Sequence, residues 1–380
     1  MKLNTGGNMI NFRTGRAPIA AIAALAAAGL GGGAALAAPA APAVTVPVPC
    51  SAAALTTAVS TAPSGTTLSL APYCKYFILS GLSTTHDIDI DGNGATIEPG
   101  VPVNNFTLLM INGATVQISD LSFANSDQST TIGFPGAIQN NGGTLTLIRC
   151  TFTGNTGRNA GAVGNSNADL SVFNSKFTDN TATSPSTGGG AISGAGSQID
   201  IVASSFFTNT DSSPAGRGGA IRVDTGMLNV TGSTFRGNTA DIGGAIYNTA
   251  TFTLRTSTFT ANSATDEVGG IGGAVFSSSP DGLLSTSTFK ANTASDAGGA
   301  IGTNGTQTVA GNTIDSNSTP GIGGGIDNLG TLTLTGNKIL RNKASSGGGL
   351  FNETTGSVTL IANLFTGNTP QNCVPTLTGC

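Results

Sequence analysis

Apolar and polar side chains alternate over short stretches of this chain. Thr144-Leu-Thr-Leu147, Gln198-Ile-Asp-Ile201, Thr251-Phe-Thr-Leu254, Thr331-Leu-Thr-Leu334 and Ser357-Val-Thr-Leu360 are five such runs. A period of two predicts strands with one buried and one solvated face. Each run leads to an aromatic residue or Ile with Asn three positions later, at 152/155, 177/180, 206/209, 235/238, 259/262, 289/292, 314/317, 339/342 and 365/368. Glycine-rich steps separate the units and end on Ile138, Val163, Ile192, Ile221, Ile246, Val275, Ile301, Ile326 and Leu350. The aromatic positions recur every 24 to 30 residues. That repeat length, with two-residue alternation inside it, predicts an all-β parallel β-solenoid of about ten rungs. At the strand spacing of about 4.8 Å the stack would be roughly 50 Å long.

The columns of this repeat have physical reasons. Asn155, Asn180, Asn209, Asn238, Asn262, Asn292, Asn317, Asn342 and Asn368 would stack inside the coil. Each amide offers two donors and an acceptor to backbone groups that a tight turn strands. The glycines suit corners that need positive φ or close packing. Two positions before each aromatic stand Cys150, Ser175, Ser204, Ser233, Ser257, Ser287, Asn312, Asn337 and Asn363. Residues two apart in a strand share a face, so Cys150 is expected as a small interior residue and not as a nucleophile.

The ends of the chain read differently. Lys2, Arg13 and Arg16 precede an Ala/Gly-rich apolar run from Ile19 to Leu36, and Ala35-Leu-Ala37 offers a cleavage site, so residues 1–37 are expected to be a signal peptide. No membrane span is expected after cleavage. The Pro/Ala-rich residues 38–49 predict a stiff spacer. Residues 50–75 predict an N-terminal cap, with Ser51 opening a helix over 52–60 whose Leu55 and Val59 share a face. Cys50–Cys74 would staple this cap, and Cys373–Cys380 would staple a C-terminal cap over 371–380, with the β-helix between them over 76–370.

Composition narrows the functional classes. Charged residues make up 9% of the chain and hydrophobic ones 38%, which excludes a disordered polyelectrolyte. The formal charge is −4, and without the three leader bases 12 bases face 19 acids, a net of −7. No basic stripe for nucleic acid exists. There is no Trp to form a sugar platform.

The tandem Gly-Gly-Ala-aliphatic and Phe-x-x-Asn motifs, as in Ser233–Asn248, resemble the repeats of the polymorphic outer membrane protein family. The likeness spans roughly Gly136 to Asn368, with Leu82 to Asn125 as degenerate first rungs. It implies a right-handed, single-stranded parallel β-helix and an adhesin-like role at a surface. That family is exported through a C-terminal barrel, and this sequence runs only ten residues past Pro370, so autotransport is not expected of it. Small secreted β-helix proteins with Ala-rich leaders are similar in this respect.

Many β-helices cleave polysaccharides, so a lyase or hydrolase is the competing class. The Asn-Thr-Asp, Asp-Asp and Gly-His-Gly elements of polygalacturonases are absent from the sequence, and its single histidine, His86, lacks flanking glycines. Asp87, Asp89 and Asp91 alternate on one strand face at spacings of about 6.6 Å, too far apart to share one Ca²⁺ unaided. Charge that protects an early strand is the favoured reading of this run. Paired threonines such as Thr144/Thr146 and Thr331/Thr333 are interrupted by Gln198/Asp200 and Met227/Asn229, so an ice-binding ladder is not expected. No catalytic residue, metal ligand or cofactor is assigned.

The expected function is non-catalytic: a monomeric secreted or cell-surface protein that binds extracellular polysaccharide or a surface protein. A candidate site lies in the outward column after each glycine step, where Arg222, Tyr247 and Phe276 fall on successive rungs. A cation beside two aromatic faces suits a sugar or an acidic partner. The favoured account of these side chains is that connections 210–217 and 263–271 fold over them and bury them, because exposed apolar patches of this size are uncommon on monomers.

Overall fold

The computed structural model describes residues 44–101, 105–129, 133–184, 188–266 and 269–380. The expected signal peptide and the first part of the spacer lie outside them. From Val44 onward the chain coils into a parallel β-solenoid built of four sheets. The alternating runs make a thirteen-stranded sheet, the glycine–aliphatic segments a twelve-stranded sheet, and the phenylalanine segments another of twelve. Two-residue strands such as Thr156–Gly157 and Thr181–Ala182 make a fourth sheet of six. We refer to the first three as the run sheet, the glycine sheet and the phenylalanine sheet.

About twelve turns are present, two more than the sequence repeat predicts. The added turns lie at the start, where the repeated residue types are missing but the register is kept. Tyr76 pairs with Ile97 and Ile97 with Phe123, so Tyr76 and Ile97 continue the phenylalanine column. The expected 38–49 spacer is also corrected. Val44–Val48 is a strand that pairs in parallel with Thr66–Leu70 and opens the run sheet. Its Pro47 is tolerated because this is an edge strand, where a missing N–H costs no ladder bond.

Seven consecutive turns each hand the interior one aromatic ring. Phe123, Phe152, Phe177, Phe206, Phe235, Phe259 and Phe289 stack with centroids 4.6–5.2 Å apart and planes within 10°. Beside them runs the asparagine ladder. Each amide Nδ2 from Asn155 to Asn342 donates to Oδ1 of the next Asn at 2.9–3.0 Å. The same nitrogen donates to a backbone carbonyl of the turn before, as Asn238 does to Phe206 at 3.0 Å. Each Oδ1 also accepts the backbone N–H of the preceding Asn, as between Asn238 and Asn262 at 3.0 Å. All three polar capacities of the side chain are used. That explains why Asn fills nine successive turns of this column, which Ser126 opens by donating its backbone N–H to Asn155 Oδ1 at 3.2 Å.

A second ladder uses the Ser/Asn column. Each backbone N–H donates to the side-chain oxygen of the next turn, from Cys150 to Ser175 at 3.0 Å through Asn337 to Asn363 at 2.9 Å. Cys150 is buried in this column and free of any disulfide. Burial pushes its thiol up to about 12. The N-terminal end is closed by a helix, Ala52–Thr61, which Ser51 caps and whose Leu55 and Val59 are buried. Cys50–Cys74 and Cys373–Cys380 are both disulfides.

Candidate functional site

The acidic run sits on the outer face of the run sheet. Asp89 lies in register between Thr67 and Gln117, and Asp91 between Ser69 and Ser119. Asp87 Oδ1 accepts the Thr115 backbone N–H at 2.7 Å. The neighbours of this run are thus neutral hydrogen-bonding groups, and no base or second carboxylate is paired across from it. Elsewhere the ions pair with one another: Lys75 with Glu98 at 2.9 Å, Arg149 with Asp120 at 2.6 Å and Arg341 with Asp315 at 2.7 Å. Among the described residues no three His, Cys, Asp or Glu side chains are grouped to hold a metal ion.

The candidate column on the glycine sheet is brought together, but it is covered. Arg222 pairs in register with Tyr247 and Tyr247 with Phe276, as the repeat spacing requires. The Tyr247 and Phe276 rings stack at 5.4 Å. Arg222 is only 6% exposed and Tyr247 only 8%, whereas Phe276 is half-buried. The cover is Arg217, from the connection that follows Thr210–Asp211. Its guanidinium lies 5.0 Å from the centre of the Tyr247 ring and donates to Tyr247 Oη at 3.3 Å. Arg222 is turned toward Asp224, with Nε 2.9 Å from Oδ1. The outward column is therefore a second packed layer beneath the connections, and an open platform is not its geometry. Sequence spacing located the column. It could not place Arg217 on the ring or Asp224 against Arg222, because neither residue recurs in the repeat.

Farther along the same column stands Asp327, between Gly302 and Phe351. It is 1% exposed and its Oδ1 has no hydrogen-bond partner. Desolvation, reinforced by nearby Glu353 and Asp296, pushes its carboxyl up to about 7. In the sequence it sits one residue after an aliphatic that ends a glycine step, the position that the column assigns to a covered face.

The run sheet presents the contrasting surface. Its central outward column reads Thr45, Thr67, Asp89, Gln117, Thr146, Ser171, Asp200, Asn229, Thr253, Leu283, Thr308, Thr333 and Thr359, in register from strand to strand. None of these side chains is buried, and Leu283 alone lacks a hydrogen-bonding group. Asn229 donates to Asp200 at 2.8 Å, so neighbouring rungs also fix one another's side chains.

Comparison with known proteins agrees with the architecture. The family model described as a right handed beta helix region matches residues 219–379. No curated protein matches the chain. Among solved structures, PfbA, a surface adhesin of Streptococcus pneumoniae, is similar at 11% sequence identity and a TM-score of 0.42, over 78% of this chain and 83% of that one. The chain is an all-β, right-handed parallel β-helix.

Proposed function

We propose that this chain is a non-catalytic, adhesin-like protein of the cell exterior that engages polysaccharide or a surface protein through its outer faces. The observation that carries this reading is the run-sheet column, thirteen rungs of short, accessible and almost wholly neutral hydrogen-bonding side chains held in register. Such a face matches an extended partner with its own repeated hydroxyl or amide groups, and recognition on it needs no pocket. The two disulfides support an oxidising location outside the cytoplasm. Arg222, Tyr247 and Phe276 enter this reading as support for connection 210–217, with the accessible side of Phe276 as their only contact surface.

A glycan array probed with the purified chain tests the proposal. Binding is expected, and Ser171→Arg with Thr253→Arg should abolish it by raising bulky charge from the flat column while leaving the melting temperature within a degree or so. An array without a hit would remove polysaccharide as the partner and leave the surface protein, and binding that ignores both substitutions would overturn the assignment to this face. Release of unsaturated or reducing ends from pectin or alginate would install the polysaccharide lyase or hydrolase reading in its place.

A further inference from the structure

The aromatic residues of the repeat point inward, but at the first strand of the phenylalanine sheet, Lys75–Ile78, large side chains also point out. The inward side of this segment is fixed three times over. Cys74 is bonded to Cys50, Ile78 is buried in the core, and the buried Tyr76 donates its hydroxyl to Val48 O at 3.0 Å while accepting from the Ala71 N–H at 3.0 Å. With Cys74, Tyr76 and Ile78 locked inside, Lys75 and Phe77 stand outside on the strand, about 6.6 Å apart, and Tyr73 and Leu79 flank it on the turn before and the bend after. Tyr73 is 85% exposed, Phe77 53% and Leu79 74%.

Two of these side chains have seats. One edge of the Tyr73 ring rests against Gly94, where an added Cβ would stand 3.0 Å from Cδ1 and Cε1. Leu79 Cδ2 likewise occupies the space beside Gly100, 2.8 Å from where a Cβ would be. Tyr73 has a φ of 55°, the conformation that this corner of the coil also takes at Asp120, Arg149, Asn174 and Ala203, so the ring sits at the regular bend that leads into the phenylalanine sheet. Three exposed large apolar side chains grouped within seven residues mark an interaction site.

We infer that Tyr73, Phe77 and Leu79 form a stacking platform for the pyranose rings of a neutral polysaccharide, a deepening that rests on the function proposed above. Aromatic and aliphatic faces receive the C–H faces of sugar rings, and Lys75 with Glu98 supplies hydrogen bonds at their edge. Charge selects the neutral class. The Lys75 cation is already paired with Glu98 at 2.9 Å, and Asp87, Asp89 and Asp91 lie on the adjoining sheet, so a uronate chain meets repulsion without a compensating free cation in this row.

The full chain is titrated with cellohexaose and laminarihexaose as neutral probes and with hexagalacturonate as the acidic one, by calorimetry and by tyrosine emission. The chain has no Trp and three Tyr, of which Tyr76 and Tyr247 are buried, so emission reports chiefly on Tyr73. At least one neutral hexamer should bind and perturb that emission. Tyr73→Ala and Phe77→Ala should each weaken binding about tenfold, the loss of one stacking contact, without lowering the melting temperature. Hexagalacturonate binding more tightly than either neutral probe overturns the inference. So does neutral binding that both variants retain, although the broader polysaccharide reading then stands. A concentration-dependent dimer that Phe77→Lys dissolves, with no saccharide bound, overturns both and assigns the row to a second copy of the chain.

Discussion

Asn238 shows how one side chain can be indispensable without chemistry. Its Oδ1 accepts the Asn209 N–H and Nδ2–H, and its Nδ2 donates to Phe206 O and Asn262 Oδ1. Asn238→Ala leaves several buried groups without partners at about 1–3 kcal/mol each, so thermal or urea unfolding should report a loss of about 2–5 kcal/mol. A change below 1 kcal/mol would mean that the ladder is decorative. Cys150 gives a reactivity test: its buried thiol, raised to about 12, should resist iodoacetamide at pH 8 in the native chain and react once unfolded. Asp327 gives the pH test. The folded chain holds its proton up to about pH 7, whereas the unfolded carboxyl titrates near about 3.9. Its contribution to stability is complete below the lower value and is lost as pH rises through the upper one. Asp327→Asn should therefore flatten the decline, gaining up to about 4 kcal/mol over the parent chain above pH 8 and little at pH 4. Parallel profiles for the two chains would rule that assignment out.

At the scale of elements, the two ends of the solenoid are finished differently. The first turns are closed by a capped helix, a disulfide and the Tyr76 hydroxyl. At the last run-sheet strand, Ser357–Ile361, the core-facing Val358 and Leu360 are only half-buried, and Ile361 is exposed. A terminal turn buries less apolar surface and has one neighbour, so it opens at lower free energy. Hydrogen exchange followed by mass spectrometry should show Ser357–Thr366 exchanging well before the stacked turns between Phe152 and Phe289. The reverse order would show that the C-terminal disulfide cap closes that end as firmly as the helix closes the other.

At the scale of the whole solenoid, each turn touches only its neighbours, and stability is close to a sum over turns and interfaces. The outward faces divide the labour. On the glycine sheet Arg217 lies over Tyr247, whereas none of the thirteen side chains of the central run-sheet column is buried. This contrast is the ground on which recognition is proposed for the run-sheet face and for the apolar side chains of the first turn.

Periodicity by itself determined the architecture: alternation marks strands, the 24- to 30-residue step marks the turn, and a recurring Asn satisfies its amide by stacking on the Asn of the next turn. The same logic placed Cys150 in the interior and Arg222, Tyr247 and Phe276 on consecutive rungs. It undercounted the turns because Tyr76 and Ile97 fill the aromatic column with other residue types, and only strand register identifies them as equivalents. Exposure was beyond its reach. Whether a side chain that points away from the core meets water depends on connections that do not repeat, so burial of Tyr247 and Asp327, and exposure of Tyr73 and Phe77, were decided by the tertiary structure alone.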